Sequence, residues 1–200
     1  MKIVVATRNE GKLRELDALL RPLGHEPISL ADAGVRGEVV EDAPTFRGNA
    51  EKKARAAMAA TGLTALADDS GLEVDALGGA PGVHSARFAG PGRDHDDAAN
   101  NERLLRELAD VPTDLRSARF RCALCWLEPG GRRLLVEGAC EGRIAAAPRG
   151  RGGFGYDPLF LVEDGGHEGT RTMAELSMLE KNVVSHRARA LAALVAALRA

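Results

Sequence analysis

The sequence has few cysteines, no excess of either charge and no long apolar run, and each shortage excludes a class of protein. Three Cys among 200 residues are too few, and odd in number, for a disulfide framework. The longest uncharged stretch near the C-terminal end, residues 190–198, is far shorter than the ~20 residues of a membrane span. The first residues, MKIVVATRN, lack the features of a signal peptide. These shortages predict a cytoplasmic protein with no membrane partner.

The near balance of charge bears on the partners of the chain. Lys plus Arg number 27 and Asp plus Glu number 29, so no net field favours nucleic acid, and any basic site is local. The hydrophobic content of 44% is that of an ordinary soluble domain. Cys122 and Cys125 fall in an apolar segment typical of a strand, whose alternation points them to opposite faces. We therefore predict that they and Cys140 are reduced core residues and not ligands of zinc.

Hydrophobic periodicity and capping signals predict an alternation of strands and helices in the first half of the chain. In chain order they indicate a strand over Lys2–Ala6, a helix from Asn9 to Gly24, a helix from Thr45 to Gly62, a strand over Leu63–Ala67, and a helix capped by Asp94 that ends before Pro112.

The pattern changes in the second half of the chain. Residues 116–145 flank Gly130-Gly131 as a long antiparallel hairpin would, and residues 159–162 predict a strand. Thr172 with Glu175 matches a capping box, and Ser185 is placed to cap a last helix. No internal repeat or linker is visible. The chain is therefore predicted to be one mixed α/β domain over residues 1–200, with two lobes as a possible arrangement.

The segment TRNEGK, residues 7–12, marks the passage from the first strand to the first helix. Free N–H groups and the positive end of the helix dipole favour anions there, so Thr7, Asn9 and Lys12 are candidates to bind a phosphate. The segment does not match a Walker A loop. The alternative is structural, with Asn9 a helix cap and Lys12 a solvated residue, although a lysine at this helix end is unfavourable without an anion nearby.

The segment ADDSG places three polar residues at the end of an apolar strand. Adjacent carboxylates point to opposite sides of a strand, so one of Asp68 and Asp69 could bind a metal or act as a base while the other is structural. A solvated Asp-Ser-Gly turn is the alternative. Upstream, Glu41 could supply a second oxygen ligand to Mg²⁺, and Glu38 or Asp42 could serve instead.

Two further groups of polar residues lie on predicted helices. Lys52 and Lys53 are ~100° apart around the second helix, so at most one faces a cleft. His186 and Arg187 occupy the first turn of the last helix, where an Arg is unfavourable unless it donates to a ligand. His186 has no partner at metal-ligand spacing, which favours hydrogen bonding to a ligand, with a plain surface histidine as the alternative.

The segment GRGGFGYD, residues 150–157, has the glycine spacing of a dinucleotide-binding loop but not its context. That motif needs a strand before it and a helix at its last glycine, whereas Pro158 and an apolar run follow here and predict a strand. The segment is instead predicted to be a loop that presents Phe154 and Asp157. Stacking of a base on an aromatic ring is worth ~1–3 kcal/mol, so the loop could hold a purine.

Four ordered blocks, TRNEGK, ADDSGLEVDALGGAPGVHSARF, GGFGYDP and EKNVVSHR, resemble the inosine triphosphate pyrophosphatase family over almost the whole chain. The resemblance implies an elongated mixed sheet with helices in two lobes around a central nucleotide cleft, and a homodimer. It also implies Mg²⁺-dependent hydrolysis of XTP, ITP or dITP to the monophosphate and pyrophosphate.

The resemblance assigns roles to individual residues. It makes Asp69 the acid that binds metal and activates water, with Glu41 as a further metal ligand and Lys53 as the phosphate-side lysine. Ser70 would contact substrate, and Lys181 would meet the nucleotide. His186 and Arg187 would read the purine edge. The triphosphate loop would be Thr7, Arg8, Asn9, Glu10, Gly11 and Lys12, and the base pocket would be lined by Phe154, Gly155, Tyr156 and Asp157.

The implied chemistry leaves two other functions open. Mg²⁺ and the lysines would neutralise the leaving pyrophosphate while Asp69 takes a proton from the attacking water. Donors aimed at the purine O6 would reject adenine, and a wall at the 2-position would reject guanine. The alternatives are a pyrophosphatase for modified pyrimidine or canonical nucleotides, and a nucleotide sensor that binds without turnover.

Overall fold

The computed structural model describes the whole chain, residues 1–200, as a mixed α/β fold, which confirms the predicted fold class. Short 3₁₀ turns join several of its elements. The strands and α-helices, in chain order, are β1 Lys2–Val5, α1 Glu10–Leu20, β2 Glu26–Ser29, α2 Phe46–Thr61, β3 Thr64–Val74, α3 Asp97–Glu107, β4 Ser117–Leu127, β5 Arg133–Ile144, β6 Phe160–Val162, α4 Met178–Val184 and α5 His186–Arg199.

One mixed sheet contains all six strands in the order β2-β1-β3-β4-β5-β6. Strand β1 pairs in parallel with both β2 and β3, and helices α1 and α2 lie in the crossovers that parallel neighbours require. Strands β4 and β5 are adjacent and are joined by residues 128–132 alone, a connection short enough only for antiparallel strands. The predicted hairpin is therefore confirmed, and β6 adds to it antiparallel to β5.

The chain forms two compact units, each assembled from separate stretches of sequence. Unit 1 comprises residues 1–69, 122–138 and 187–200, and unit 2 comprises residues 70–121 and 139–186. Each unit has its own hydrophobic core. Core residues of unit 1 include Ile3, Leu16, Leu66, Trp126 and Leu194, and core residues of unit 2 include Leu72, Leu104, Ile144, Tyr156 and Phe160.

The helix boundaries predicted at Asn9, Thr45 and Gly62 are confirmed by their caps, whereas α1 ends at Leu20 and a 3₁₀ turn over Arg21–Leu23 leads to Gly24. The side chain of Asn9 accepts the N–H of Lys12 at 3.0 Å, and that of Thr45 accepts the N–H of Gly48 at 3.1 Å. Helix α2 ends at Gly62, which adopts a left-handed conformation with φ +67°. These three signals act locally, which is why the sequence alone locates them.

Two local predictions are wrong. The strand expected over Leu63–Ala67 continues to Val74, so the segment from Asp68 to Ser70 lies inside β3 and is not a turn at its end. Helix α3 is capped by Asp96, whose carboxylate accepts the N–H of Ala99 at 3.0 Å, and not by Asp94. The predicted capping box of Thr172 and Glu175 is confirmed, and a short helix that the sequence did not indicate, α4, begins with a second capping box of Ser177 and Glu180.

The three cysteines are free and buried, as predicted for core residues. Burial raises the pKa of the Cys122 thiol well above its ordinary value, and it raises that of Cys125 to about 11.

None of the helices combines the length and the apolar character needed to cross a membrane.

We expect the buried thiols to resist labelling in the folded protein. A thiol reacts as its thiolate, and burial both suppresses the thiolate and blocks the reagent. An aromatic disulfide reagent at pH 8 should modify none of Cys122, Cys125 and Cys140 within minutes, and all three after denaturation. Rapid labelling of even one thiol in the native protein would show that a cysteine is accessible.

Candidate active site

Asp69 lies in a buried cluster that β3 and α2 form within unit 1. The Lys53 Nζ donates to Asp69 Oδ1 at 2.8 Å and to Glu41 Oε2 at 2.9 Å. Asn49 donates its side-chain amide to the other oxygen, Asp69 Oδ2, at 3.2 Å. Because Lys53 and Asn49 are four residues apart on α2, they lie on one face of the helix. One helix therefore supplies both donors to a single carboxylate.

Burial sets the protonation behaviour of this cluster. It raises the pKa of Asp69 to about 6, although Lys53 and Lys12 favour the ionised form. Burial acts in the same direction on Glu41, but there Lys53 and a hydrogen bond with Asp69 prevail, and the pKa of Glu41 is lowered. Of the two acids, Asp69 is therefore the one whose pKa is raised. A carboxyl group with a pKa near neutrality is suited to proton transfer at physiological pH.

Asp68 has a different set of partners, as expected for adjacent residues of one strand. Lys12 Nζ lies 2.6 Å from its Oδ1, and Arg187 Nε donates to its Oδ2 at 2.9 Å. The Cys122 thiol approaches the same Oδ2 at 3.0 Å. Burial opposes ionisation of this fully buried group, but Arg187 and Lys12 outweigh it, and the pKa of Asp68 lies well below its ordinary value. Asp68 is thus a permanent anion, whereas Asp69 can exchange a proton.

Arg187 extends this ion network to Glu15. Its guanidinium is 1% exposed and donates to both Asp68 and Glu15, which places it inside unit 1. The sequence favoured a ligand for Arg187 on dipole grounds, and the structure places two protein carboxylates against it. Glu15 was missed. The available signal was a charged residue on α1 three positions after Lys12, next to the buried Leu16.

The TRNEGK segment agrees only in part with the structural alternative that the sequence offered. Asn9 is a helix cap, and the Thr7 hydroxyl accepts the N–H of Asn9 at 3.2 Å. Lys12 is not solvated, since its side chain is only 15% exposed and pairs with Asp68. The anion that a lysine at this helix end requires is therefore supplied, at least in part, by the protein.

The other members of this segment face outward or pack closely. Arg8 is directed to a neighbouring loop and donates to the carbonyl oxygens of Val35 at 3.2 Å and Gly37 at 2.9 Å. Glu10 is exposed in the first turn of α1, and Gly11 is buried. The Arg8 guanidinium is thus engaged by that loop.

The structure separates the acids and lysines that the sequence could not rank. It pairs Glu41 with Lys53 in the buried cluster, whereas Asp42 and Lys52 form an exposed ion pair. The residue Glu38 is exposed. Of the three candidate acids, Glu41 is the one that shares a lysine with the catalytic candidate.

The cluster suits a hard divalent cation that is bound partly by substrate. Asp69 and Glu41 offer carboxylate oxygens, and no group of three or more His, Cys, Asp or Glu side chains is arranged to hold a metal. Mg²⁺ is commonly held by one or two carboxylates together with water and substrate phosphates. The donor set therefore fits Mg²⁺ better than a metal that needs a complete protein cage.

A second polar cluster lies in unit 2 at the end of the GRGGFGYD segment. Asp157 accepts the backbone N–H of Phe154 at 3.0 Å and the Lys181 ammonium at 2.8 Å. Both Asp157 and Lys181 are 5% exposed. The Lys181 Nζ lies 5.6 Å from the centre of the Phe154 ring, within the range of a cation–π contact. An aromatic face, an ammonium and a carboxylate are thus brought together, which is a suitable set for a polar heteroaromatic ring.

Two glycines of this segment lie where a side chain would collide with its surroundings. Gly153 has φ +76°, and a Cβ there would collide with the Asp157 carboxylate. At Gly150, with φ +82°, a Cβ would lie 2.6 Å from the carbonyl carbon of Ala174. The segment leads into β6 and not into a helix, so the rejection of a dinucleotide-binding motif is confirmed.

Of the remaining candidates, Tyr156 and His186 are buried. Tyr156 is a core residue whose hydroxyl donates to the Ser85 carbonyl at 2.8 Å. His186 stacks on Phe120 with ring centres 4.9 Å apart, and it is 8% exposed. Ser70 directly follows Asp69 in β3 and belongs to unit 2.

The fold and the unit 1 cluster define a class. A helix N-terminus attracts phosphate, and here it carries Lys12 in its first turn, paired with the buried Asp68. These features are those of an enzyme that acts on phosphate groups. A model of the Ham1 family matches residues 3–197, and the chain belongs to that family.

Individual relatives are similar over nearly the full length. The dITP/XTP pyrophosphatase of Desulforamulus reducens is 55% identical over 191 residues, which cover 96% of this chain and 92% of the relative. The dITP/XTP pyrophosphatase of Geobacter sulfurreducens is 54% identical, and the match covers 96% of this chain and 94% of the relative. A solved structure of a HAM1 protein from Coxiella burnetii is 43% identical with a TM-score of 0.85, and the match covers 100% of this chain and 98% of that one.

Proposed function

We propose that the chain hydrolyses dITP, ITP and XTP to the nucleoside monophosphate and pyrophosphate, and so removes them from the nucleotide pool. The observation that carries the proposal is the Lys53–Asp69–Glu41 cluster, formed in a chain that is 55% identical to a dITP/XTP pyrophosphatase. The substrate is a small molecule, and neither nucleic acid nor a membrane is a partner.

The unit 1 residues would handle the triphosphate and the water. Asp69, with its pKa near 6, would accept the proton of the water that attacks the α-phosphorus. Lys53 and Lys12 would place positive charge on the leaving pyrophosphate. The N–H groups at the start of α1, together with Thr7 and Arg8, would bind the outer phosphates. Asp68 pairs with Lys12 at 2.6 Å and holds its ammonium in place beside them.

Mg²⁺ fits the donor set of Asp69 and Glu41, and it would neutralise charge on the phosphate oxygens when bound. The same two carboxylates hold Lys53 through hydrogen bonds of 2.8 and 2.9 Å. Lys53 would therefore remain charged and positioned, because its pKa is raised by the two acids despite the opposing effect of burial.

The residues of the GRGGFGYD segment, with Lys181 and His186, would bind the base. Phe154 would stack on the purine, while the Lys181–Asp157 pair and His186 would meet its polar edge. Donors aimed at an O6 acceptor are left unpaired by the 6-amino group of adenine, a mismatch worth ~10⁴–10⁵-fold in sites built for hydrogen bonding. Guanine shares the O6, so its 2-amino group must be the feature that is rejected.

We further propose a homodimer in the cytoplasm. Free, buried cysteines are compatible with a reducing compartment, where the nucleotide pool is also found. Sedimentation equilibrium tests the dimer directly, because a monomeric mass at micromolar concentration contradicts it.

A substrate panel separates the proposal from its alternatives. With Mg²⁺ present, dITP and XTP should release pyrophosphate at rates at least a hundredfold above those of dATP, dGTP and dUTP. Fast hydrolysis of dUTP or dATP would favour a pyrimidine or canonical nucleotide pyrophosphatase. Tight binding of dITP without turnover would instead favour a nucleotide sensor. Release of orthophosphate from dITP would contradict cleavage at the α-phosphorus.

A further inference from the structure

Helix α3 is hydrogen-bonded to the candidate base-binding loop at a single glycine, Gly155. The backbone N–H of Gly155 donates to Asp97 Oδ2 at 2.6 Å, and its carbonyl oxygen accepts the side-chain amide of Asn101 at 2.9 Å. Both polar groups of one residue's backbone are therefore held by side chains of one helix. Neither side chain belongs to the motifs that resemble the family.

The two side chains act as one unit. Asp97 and Asn101 are four residues apart on α3, so they lie on the same face of the helix. The amide of Asn101 also donates to the Asp97 carbonyl oxygen at 2.8 Å, which fixes its orientation with both acceptors in reach. Capping of the helix is the task of another residue, Asp96, whose carboxylate accepts the N–H of Ala99. The hydrogen bonds of Asp97 and Asn101 to Gly155 are thus separate from helix capping.

The two hydrogen bonds matter for the candidate base site because Gly155 lies between Phe154 and Asp157, two residues of that site. It follows Phe154 directly and precedes Asp157 by two residues, and its φ of +61° leaves the chain in a conformation that glycine adopts freely. A glycine-rich run has many alternative conformations in the absence of such contacts. Holding the Gly155 peptide therefore limits where the Phe154 ring can be relative to the Asp157–Lys181 pair.

We propose that Asp97 and Asn101 are positioning residues for purine recognition, which preorganise the loop of Phe154 to Asp157 before the base arrives. This proposal rests on the proposed function of the loop. A preorganised loop loses less conformational freedom on binding, so the contribution falls on affinity for the base and not on the chemical step. A charge-assisted hydrogen bond of the kind that Asp97 accepts is worth about tenfold in a binding constant or more.

The test separates base affinity from phosphate affinity. For Asp97→Ala and Asn101→Ala, we expect KM for dITP and the inhibition constant of dIMP to rise by about tenfold. The inhibition constant of pyrophosphate and kcat should stay within twofold of wild type. Asn101→Asp should be worse than Asn101→Ala, because its carboxylate would face the Gly155 carbonyl. Asp97→Asn keeps an acceptor oxygen and should restore most of the affinity.

The matched control is Asp96→Ala, which weakens the cap of α3 but leaves both contacts to Gly155. It should leave the constant for dIMP within twofold. A rise in the constants for dIMP and pyrophosphate by equal factors, an unchanged constant for dIMP, or reproduction of the effect by Asp96→Ala would each overturn the proposal. Failure of the wild-type protein to release pyrophosphate from dITP would overturn the proposed function instead, and it is read in the same assay.

Discussion

Asp69→Asn is expected to reduce kcat for dITP by about 10³-fold while the protein still folds and binds the nucleotide. The amide has nearly the shape of the carboxylate, but it cannot take a proton from water, and loss of a general base typically costs ~10²–10⁴-fold. Lys53 keeps its second carboxylate partner, Glu41, so the cluster does not lose all of its negative charge. Pyrophosphate release in steady state gives kcat, and calorimetric titration with dITP gives binding.

The matched control is Asp42→Asn, since Asp42 is an exposed acid paired with Lys52 outside the buried cluster. It should change kcat by less than twofold. Turnover by Asp69→Asn within tenfold of wild type would show that Asp69 is not the base, and equal losses in the two variants would point to a general effect of charge.

Arg187→Met is expected to destabilise the protein by about 3–5 kcal/mol, because it leaves buried carboxylates without their cation. The guanidinium is 1% exposed and donates to both Asp68 and Glu15. In a chain of this length, such a loss corresponds to a fall in Tm of roughly 10 °C. Urea denaturation followed by the fluorescence of the buried Trp126 measures the free energy of unfolding.

Two further variants show whether the loss of stability in Arg187→Met comes from buried carboxylates that have lost their cation. Arg199→Met, at the exposed end of the same helix, should cost less than about 0.5 kcal/mol. The double variant Glu15→Leu with Arg187→Met should be more stable than Arg187→Met alone, since it removes one of the stranded acids. Additive losses in the double variant would contradict a role for charge pairing and indicate lost packing.

Local signals in the sequence were sufficient for much of unit 1. Asn9, Thr45 and Gly62 mark helix ends through contacts within four residues, so no long-range knowledge is needed to locate them. The divergence of Asp68 and Asp69 follows from the alternation of side chains along a strand. The two acids do have separate partners, Lys12 for one and Lys53 for the other.

Long-range pairing explains what the sequence could not locate. The Asp-Ser-Gly run favours a turn, but β3 continues through it between β1 and β4, and Asp68 pairs there with Arg187, which is 119 residues away in the chain. The hydrogen bond between Asp97 and Gly155 joins residues that are 58 positions apart, and the sequence around one of them gives no indication of the other. Partners of this kind become visible only when the sheet and α3 have brought distant segments together.

The site of attack by water is the central claim, and hydrolysis of dITP in ¹⁸O-labelled water tests it most directly. If Asp69 activates water against the α-phosphorus, one labelled oxygen should appear in dIMP and none in pyrophosphate, as read by mass spectrometry of both products. Label found in pyrophosphate, with unlabelled dIMP, would place the attack on the β-phosphorus and contradict the role assigned to the Lys53–Asp69–Glu41 cluster.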